Sequence, residues 1–193
     1  MATMGVATVR TVTEEAVGKV AEVDEAAIPL DRDIFMRTVL RELTGSLQDI
    51  VGMAEASGYI SVVGTALGEQ IDGEYRRALA VERLSRSQVQ DVLVDLKKRI
   101  NGDFYIIEER EDRIVLGNHA CPFGDAVKGR PSLCMMTANV FGHITAQNLG
   151  YARVAIEQAI ARGDVGCRVV VYLKPDGDAG AAGHDEFFRR GDG

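Results

Sequence analysis

Residues Tyr151 to Leu173, YARVAIEQAIARGDVGCRVVVYL, decide how the chain folds. Taken alone, the first half is ambiguous, because Ala152, Ala155, Ile156, Ala159 and Ile160 share one side of a helix. The following run, Cys167 to Leu173, is β-branched and favours an extended strand. If Gly163-Asp164 forms a two-residue turn with Gly first, both halves are explained together. That registration sets Ile160 opposite Cys167, Gln158 opposite Val169, Ile156 opposite Val171 and Val154 opposite Leu173. One face is then almost wholly apolar, and the other receives Glu157, Arg168 and Lys174, as a solvated face should. The segment is therefore read as an antiparallel hairpin.

Upstream, Pro131 sits at a helix-start position and Gly150 at a helix stop, which predicts a helix to about Asn148. Before it, Phe104 to Ile107 and Ile114 to Leu116 are short strand-forming runs joined by the charged connection Glu108 to Arg113, a second hairpin. Three helical patterns precede that hairpin. Asp31 or Asp33 caps a stripe of Ile34, Phe35, Val39, Leu43, Leu47, Ile50 and Val51. The segment Tyr59 to about Leu79 repeats the stripe through Val62, Val63, Ala66, Leu67, Ile71 and Tyr75, with Gly58, Gly64, Gly68 and Gly73 interspersed. Each such Gly costs about 1 kcal/mol against Ala, which close helix packing or ligand approach must offset; packing is the simpler account. Ser85 caps a third helix over 86–100 with Val89, Val92, Leu93 and Leu96 inward, stopped by Asn101-Gly102.

The fold class expected is α+β: N-terminal helices packed on an antiparallel sheet of two hairpins, with a helix between them. A single domain spans 31–173. Residues 1–30 form an arm in which Val17, Val20 and Ala21 allow a short helix from Thr13 to about Glu25, and 174–193 is a Gly-, Ala- and Asp-rich tail expected to be disordered.

Composition narrows the function classes. The chain has 193 residues, 46% hydrophobic, enough for one core and short for two. A net charge of −7 leaves no basic stripe to neutralise phosphates, so neither nucleic acid nor an anionic membrane is an expected partner. The densest basic cluster, Lys97-Lys98-Arg99, reads as a solvated helix face. No apolar run approaches the roughly 20 residues that span a bilayer, and Met1 to Gly5 lacks the features of a secretory leader. A cytoplasmic location is expected, and in that reducing compartment three cysteines are more readily metal-binding, reactive or buried than disulfide-bonded.

Those cysteines are the candidate site. Cys167 points into the core from a strand, Cys134 falls in the first turn of the 131–148 helix, where the dipole favours a thiolate, and Cys121 lies in a Pro/Gly loop beyond the first hairpin. If that helix packs on the sheet the three thiols meet, and thiolates are soft ligands suited to zinc or an iron–sulfur cluster. No spacing forms a CxxC knuckle, and buried inert cysteines are the bland alternative. A fourth ligand would come from His119, Asp125, His143 or solvent, and His119 is nearest in sequence. Met135, Phe141 and Phe123 are candidates to line an apolar ligand pocket, with core filling as their other use. A cysteine nucleophile, Cys134 or Cys121 near His119, is the competing chemistry. It lacks an evident orienting group or oxyanion arrangement, so a non-enzymatic role is favoured.

The runs Asn101 to Phe104, Cys121 to Gly124, Pro131 to Thr137, Asn139 to Gly142, Asn148 to Ala152 and Ala161 to Asp164, with Cys167, resemble the methanogen output domain 1 family across about 31–173. That family is in turn similar to the 4-vinyl-reductase-like small-molecule-binding domains. The resemblance implies a sensory or regulatory module of that wider group, helices on an antiparallel sheet, that commonly forms homodimers and encloses a small ligand. It also implies zinc held through cysteines, one after a Gly-Asp turn, which is Cys167 here, and one at a helix start, which is Cys134. Where the wider group often carries another cysteine on the strand before the turn, this chain has Ala159, and Cys121 is the substitute at hand. With no further output domain read in the chain, a signal is expected to leave through a partner protein or a dimer surface.

Overall fold

The computed structural model describes residues 27–175 and 185–189; the helix expected over Thr13 to Glu25 lies outside them. The element order is α1 (Arg32–Val51), α2 (Met53–Ala78), α3 (Arg86–Lys98), β1 (Phe104–Arg110), β2 (Arg113–Asn118), α4 (Cys134–Leu149), β3 (Tyr151–Gln158), β4 (Cys167–Tyr172) and β5 (Asp185–Phe188). The strands form one antiparallel sheet in the order β1-β2-β4-β3-β5. The α+β class and the two hairpins with a helix between them are as the sequence indicates.

The 151–173 hairpin forms, with a wider turn than expected. Ile156 pairs with Val169 and Val154 with Val171, a two-residue displacement from the registration of a tight Gly163-Asp164 turn. A 3-10 turn, Ile160–Arg162, takes up the difference and ends at Gly163, whose φ of 96° suits only glycine well. Asp164 closes the loop by accepting a hydrogen bond from the Ala159 amide at 2.7 Å. Strand side chains alternate with period two, so this even displacement keeps Val154 and Ile156 on their expected face; beyond them a bulge sets Gln158 opposite Arg168 instead of Val169. Cys167 now lies opposite Asn118 of β2 instead of Ile160.

Helix α4 lies across the apolar face of the sheet. Phe141 and Ile144, fully buried, meet Ile114, Leu116, Val169 and Val171 from β2 and β4. Each such side chain contributes about 1.5–3 kcal/mol on leaving water. Helix α3 adds Val89, Leu93 and Leu96 to the same core; its N-terminus carries a full capping box between Ser85 and Gln88. On the opposite face of the sheet Val115, Ala155 and Val170 are covered by long side chains: Arg153 lies 4.0 Å from the Tyr172 ring, and Arg168 donates to Glu157 at 2.8 Å.

Two expectations are corrected. Residues 185–188 are not part of a disordered tail: they extend the sheet as β5 along β3, and Phe187 packs where Gly142 leaves space on α4. Most of the apolar stripe of α1 and the first half of that of α2 are not core either, whereas Ile71 and Tyr75 of α2 do pack against it. Phe35, Leu43 and Ile50 are 54%, 63% and 81% exposed, and Tyr59, Val62 and Val63 are exposed beside them. Helix α1 instead turns a polar and small-residue line inward, Arg37, Arg41, Gly45 and Gln48, one helical turn apart. Arg41 donates to the Ala126 and Lys128 carbonyls, and Ser132 bonds Gln48. Helix α2 packs on α4 through Ala56, Ile60, Gly64 and Gly68, so close helix packing accounts for the two central glycines. Gly52, at φ 84°, breaks the chain between α1 and α2.

Candidate functional site

The three cysteines come from three separate elements and line one small cavity of about 30 Å³. Cys167 opens β4, Cys134 opens α4, and Cys121 lies in the loop after β2. Phe104, Ile156 and Val169 floor the cavity from the sheet, and Phe123, Val127 and Leu133 wall it from the loop. Bringing them together requires the Cys121–Cys134 segment to fold back over the sheet. Helix α1 holds it there through Arg41 and Gln48, and the Gly129 amide bonds the Ala161 carbonyl at 3.0 Å.

Asn118, which sequence reasoning passed over, orients Cys167. Its Oδ1 accepts from the amides of Asp103 and Ala120, at 3.1 and 3.2 Å, which fixes the amide so that Nδ2 donates to the Cys167 sulfur at 3.8 Å.

Lys97 is the larger omission. Far from lying on a solvated face, it is 4% exposed. Its Nζ donates to Thr137 Oγ1 at 2.8 Å and sits 5.6 and 5.3 Å from the ring centroids of Phe104 and Phe141. Thr137 and Phe104 are themselves walls of the thiol cavity. Burial pulls the Lys97 ammonium down to about pKa 8, and the neighbouring Cys121, Cys134 and Cys167 act to hold it up. The signal was available: Lys97 follows Val89 and Leu93 at four-residue spacing on the face of α3 that goes inward.

The thiols themselves are protected. Burial, then proximity to Cys167 and Cys121, pushes Cys134 up to about 12, and burial likewise raises Cys121. The expected activation of Cys134 by a helix start does not arise. A 3-10 turn, Pro131–Leu133, runs directly into α4, and the Cys134 amide is already spent on the Pro131 and Ser132 carbonyls.

Of the other expected site residues, His119 points elsewhere: its Nδ1 lies 3.2 Å from Asp103 Oδ2, its ring stacks on Tyr105 at 4.6 Å, and it is exposed. It lines an outer cleft of about 520 Å³ together with Asp125 and Cys121, so Cys121 separates cleft from cavity. Phe123 lines the cavity; Phe141 fills the main core, and Met135 packs against that core. His143 is buried, with its ring carbons against Gly68. Among the described residues, no group of three or more His, Cys, Asp or Glu side chains is arranged as a metal-holding set. That holds for Cys121, Cys134 and Cys167 by themselves as well as for the set with His119, whose imidazole Asp103 and Tyr105 hold outside the cavity. Thiols are by chemistry soft donors, the type that a thiophilic cation takes.

No helix is long and apolar enough to cross a membrane among the described residues. No curated protein matches the chain. Among solved structures, it is similar to trafficking protein particle complex subunit 3 from Naegleria fowleri, a structure described as covalently bound to palmitic acid. The identity is 11%, the TM-score is 0.52, and the match covers 81% of this chain and 99% of that one, a likeness of fold. The model of one sequence family matches residues 39–172, the span that carries α4, the sheet and all three cysteines, and the chain belongs to that family, methanogen output domain 1.

Proposed function

We propose that this chain is a sensory or regulatory domain whose thiol pocket takes up a thiophilic metal ion, zinc or iron, and whose state passes to a partner protein. The observation that carries this reading is the convergence of Cys121, Cys134 and Cys167, from a loop, a helix start and a strand, on one cavity. A set of inert core cysteines has no reason to share a cavity with the amide of Asn118 aimed at one sulfur and a buried ammonium behind its wall. The family's description as an output domain supports a signalling role. A small-molecule ligand, where one binds, has the outer cleft beside His119 and Asp125 open to it.

The exposed stripes of α1 and α2 supply the surface through which the state leaves, and we assign a second copy of this chain to it. The stripe is uncharged at Phe35, Leu43, Ile50, Val62 and Val63, so a chain of net charge −7 meets itself there without facing like charges. Helix α1 also holds the Cys121–Cys134 segment, which links that surface to the pocket.

A cysteine-dependent enzyme is the weaker reading, because the Cys134 thiol is held near 12 and no histidine among the described residues lines the cavity. An acyl chain like that of the solved relative needs a pocket of several hundred Å³, far more than about 30 Å³.

Anaerobic purification, an absorption spectrum and elemental analysis test the proposal. Retained zinc or iron that is lost in Cys134→Ser, with lower stability of that variant, is the expected result. Unchanged metal content in Cys134→Ser, or no metal uptake by the native chain, counts against it.

A further inference from the structure

The last strand is seated as a bound peptide would be. Residues 185–188 pair with Tyr151 to Val154 of β3, and two side chains at alternate positions reach α4. Phe187 fills the notch at Gly142, where a Cβ would stand 2.2 Å from its ring carbons. Two residues on, Arg189 closes the end of α4: its Nε donates to the Gln147 carbonyl at 3.0 Å, its Nη2 to the Asn148 carbonyl at 3.1 Å, and its amide to the Gly150 carbonyl at 3.2 Å. Tyr151 donates to Glu186 Oε1 at 2.7 Å. A glycine inside a helix costs about 1 kcal/mol against alanine, and what Gly142 makes room for is the Phe187 ring.

The occupant is lightly held. Phe188 is 63% exposed, and the paired run, Asp185–Phe188, is shorter than the five or six residues of about the average strand. The stretch 173–184 can reach about 40 Å when extended, whereas β5 stands two strand spacings, about 10 Å, from β4. The tether therefore sets a local concentration of residues 185–189 and does not dictate their place. With them out, β3 has an unpaired edge, Gly142 an open notch, and the last turn of α4 carbonyls without these donors, all of which another strand satisfies. We propose that the groove between α4 and the β3 edge is a docking site for an extended segment of a partner protein, one with an aromatic residue followed two positions later by an arginine, and that residues 185–189 are its resident, displaceable occupant. Main-chain pairing with β3 supplies affinity, and the notch and the helix end select the side chains. Arginine suits the site by charge, because the carbonyls it meets are the negative end of the α4 dipole on a chain of net charge −7. The proposal goes beyond the thiol-pocket reading and stands without it.

The test uses the full chain, with a fluorescein-labelled peptide of the sequence Asp185 to Arg189 as the probe and fluorescence anisotropy as the readout. Phe187→Ala removes the anchor of the resident segment and leaves the notch open. Gly142→Ala expels the same segment and fills the notch. Phe187→Ala is expected to bind the peptide at least tenfold more tightly than wild type, and Gly142→Ala at least tenfold more weakly than Phe187→Ala. Peptides with alanine in place of Phe187 or of Arg189 are expected to lose at least tenfold in affinity for the Phe187→Ala chain. A strand that is only a fixed part of the fold predicts no binding by either variant, and that result overturns the proposal, as does equal binding by all three chains. Should Phe187→Ala fail to fold, Arg189→Ala, which frees the end of the segment and leaves the notch intact, carries the same comparison. A wild-type dimer that Phe187→Ala converts to a monomer places the tail of a second copy in the groove and overturns the assignment to another protein. No metal enters these readouts, so their failure leaves the thiol pocket untouched.

Discussion

Asn148 shows how single side chains hold this fold in register. Its Oδ1 accepts from the Leu84 amide at 2.7 Å, and its Nδ2 donates to Asp72 Oδ1 at 2.6 Å and to the Ile144 carbonyl at 2.8 Å. One amide thereby ties α2, α4 and the segment before α3 together, with Arg76 neutralising Asp72 at 2.9 Å. Lys97 belongs to the same class of buried polar group with a different consequence, since its pKa falls from 10.5 to about 8 on folding. Below about pH 8 both folded and unfolded chains carry the proton, and the full cost of burying the charge is present. Between about 8 and 10.5 the folded chain has lost a proton that the unfolded chain keeps, so stability rises with pH at up to about 1.4 kcal/mol per unit. Cys134 has the opposite sign: raised from 9.0 to about 12, it costs stability above pH 9, where the unfolded thiol ionises and the folded one does not. Above pH 10 Tyr75 and Tyr151, each pushed to about 12, add to that loss. For the metal-free chain, urea unfolding is therefore expected to show wild type gaining about 1 kcal/mol relative to Lys97→Met from pH 8 to 9, the raised Cys134 and Cys121 thiols opposing it equally in both. Parallel profiles of wild type and variant over that interval would mean that Lys97 is not buried as an ammonium.

At the scale of elements, the contact between α2 and α4 depends on what is missing from α2. A Cβ on Gly64 would stand 2.7 Å from the Cβ of Asn139, and one on Gly68 would stand 2.9 Å from the Cβ of His143. Close approach also lets Asn139 Nδ2 donate to Ser61 Oγ at 2.9 Å. Gly64→Ala therefore forces the helices apart. It is expected to lower stability by about 1–3 kcal/mol from overpacking, reduced by up to about 1 kcal/mol of gained helix propensity. A shift of the urea midpoint with unchanged slope would report it; a midpoint at or above wild type would show that the two helices are not in the contact described. The turn between β3 and β4 teaches a related lesson. Gly163 and Asp164 do shape it, but through a 3-10 turn and a side-chain bond to Ala159, and the sheet tolerates the change because the displacement is even as far as Ile156, where a bulge begins.

For the whole molecule, the inside-out placement of α1 and α2 is the feature with most consequence. Apart from Ile71 and Tyr75, which pack on the core, their apolar stripes are largely exposed, while Arg41 of α1 and Gly64 and Gly68 of α2 face inward. The double variant Leu43→Glu, Val62→Glu is expected to convert a dimer to a monomer in analytical ultracentrifugation, with metal content per chain unchanged, because neither residue touches the pocket. A native chain that sediments as a monomer, or a variant that stays dimeric, would remove the α1–α2 face as the place where two copies meet.

Local pattern was enough for the element types, the caps at Asp31 and Ser85, the apolar face of the 151–173 hairpin, and the three cysteines as the chemistry to watch. These depend on contacts a few residues apart, where periodicity and turn chemistry act directly. Tertiary structure alone decided which stripe of α1 and α2 goes inward, that residues 185–188 join the sheet, and that His119 is drawn out of the cavity by Asp103 and Tyr105. It alone also put the Lys97 ammonium behind three thiols far apart in the chain. A helix with apolar residues on one side and small or polar ones on the other carries no mark of which side has a partner. A lysine carries no mark of the charges that the fold will set beside it.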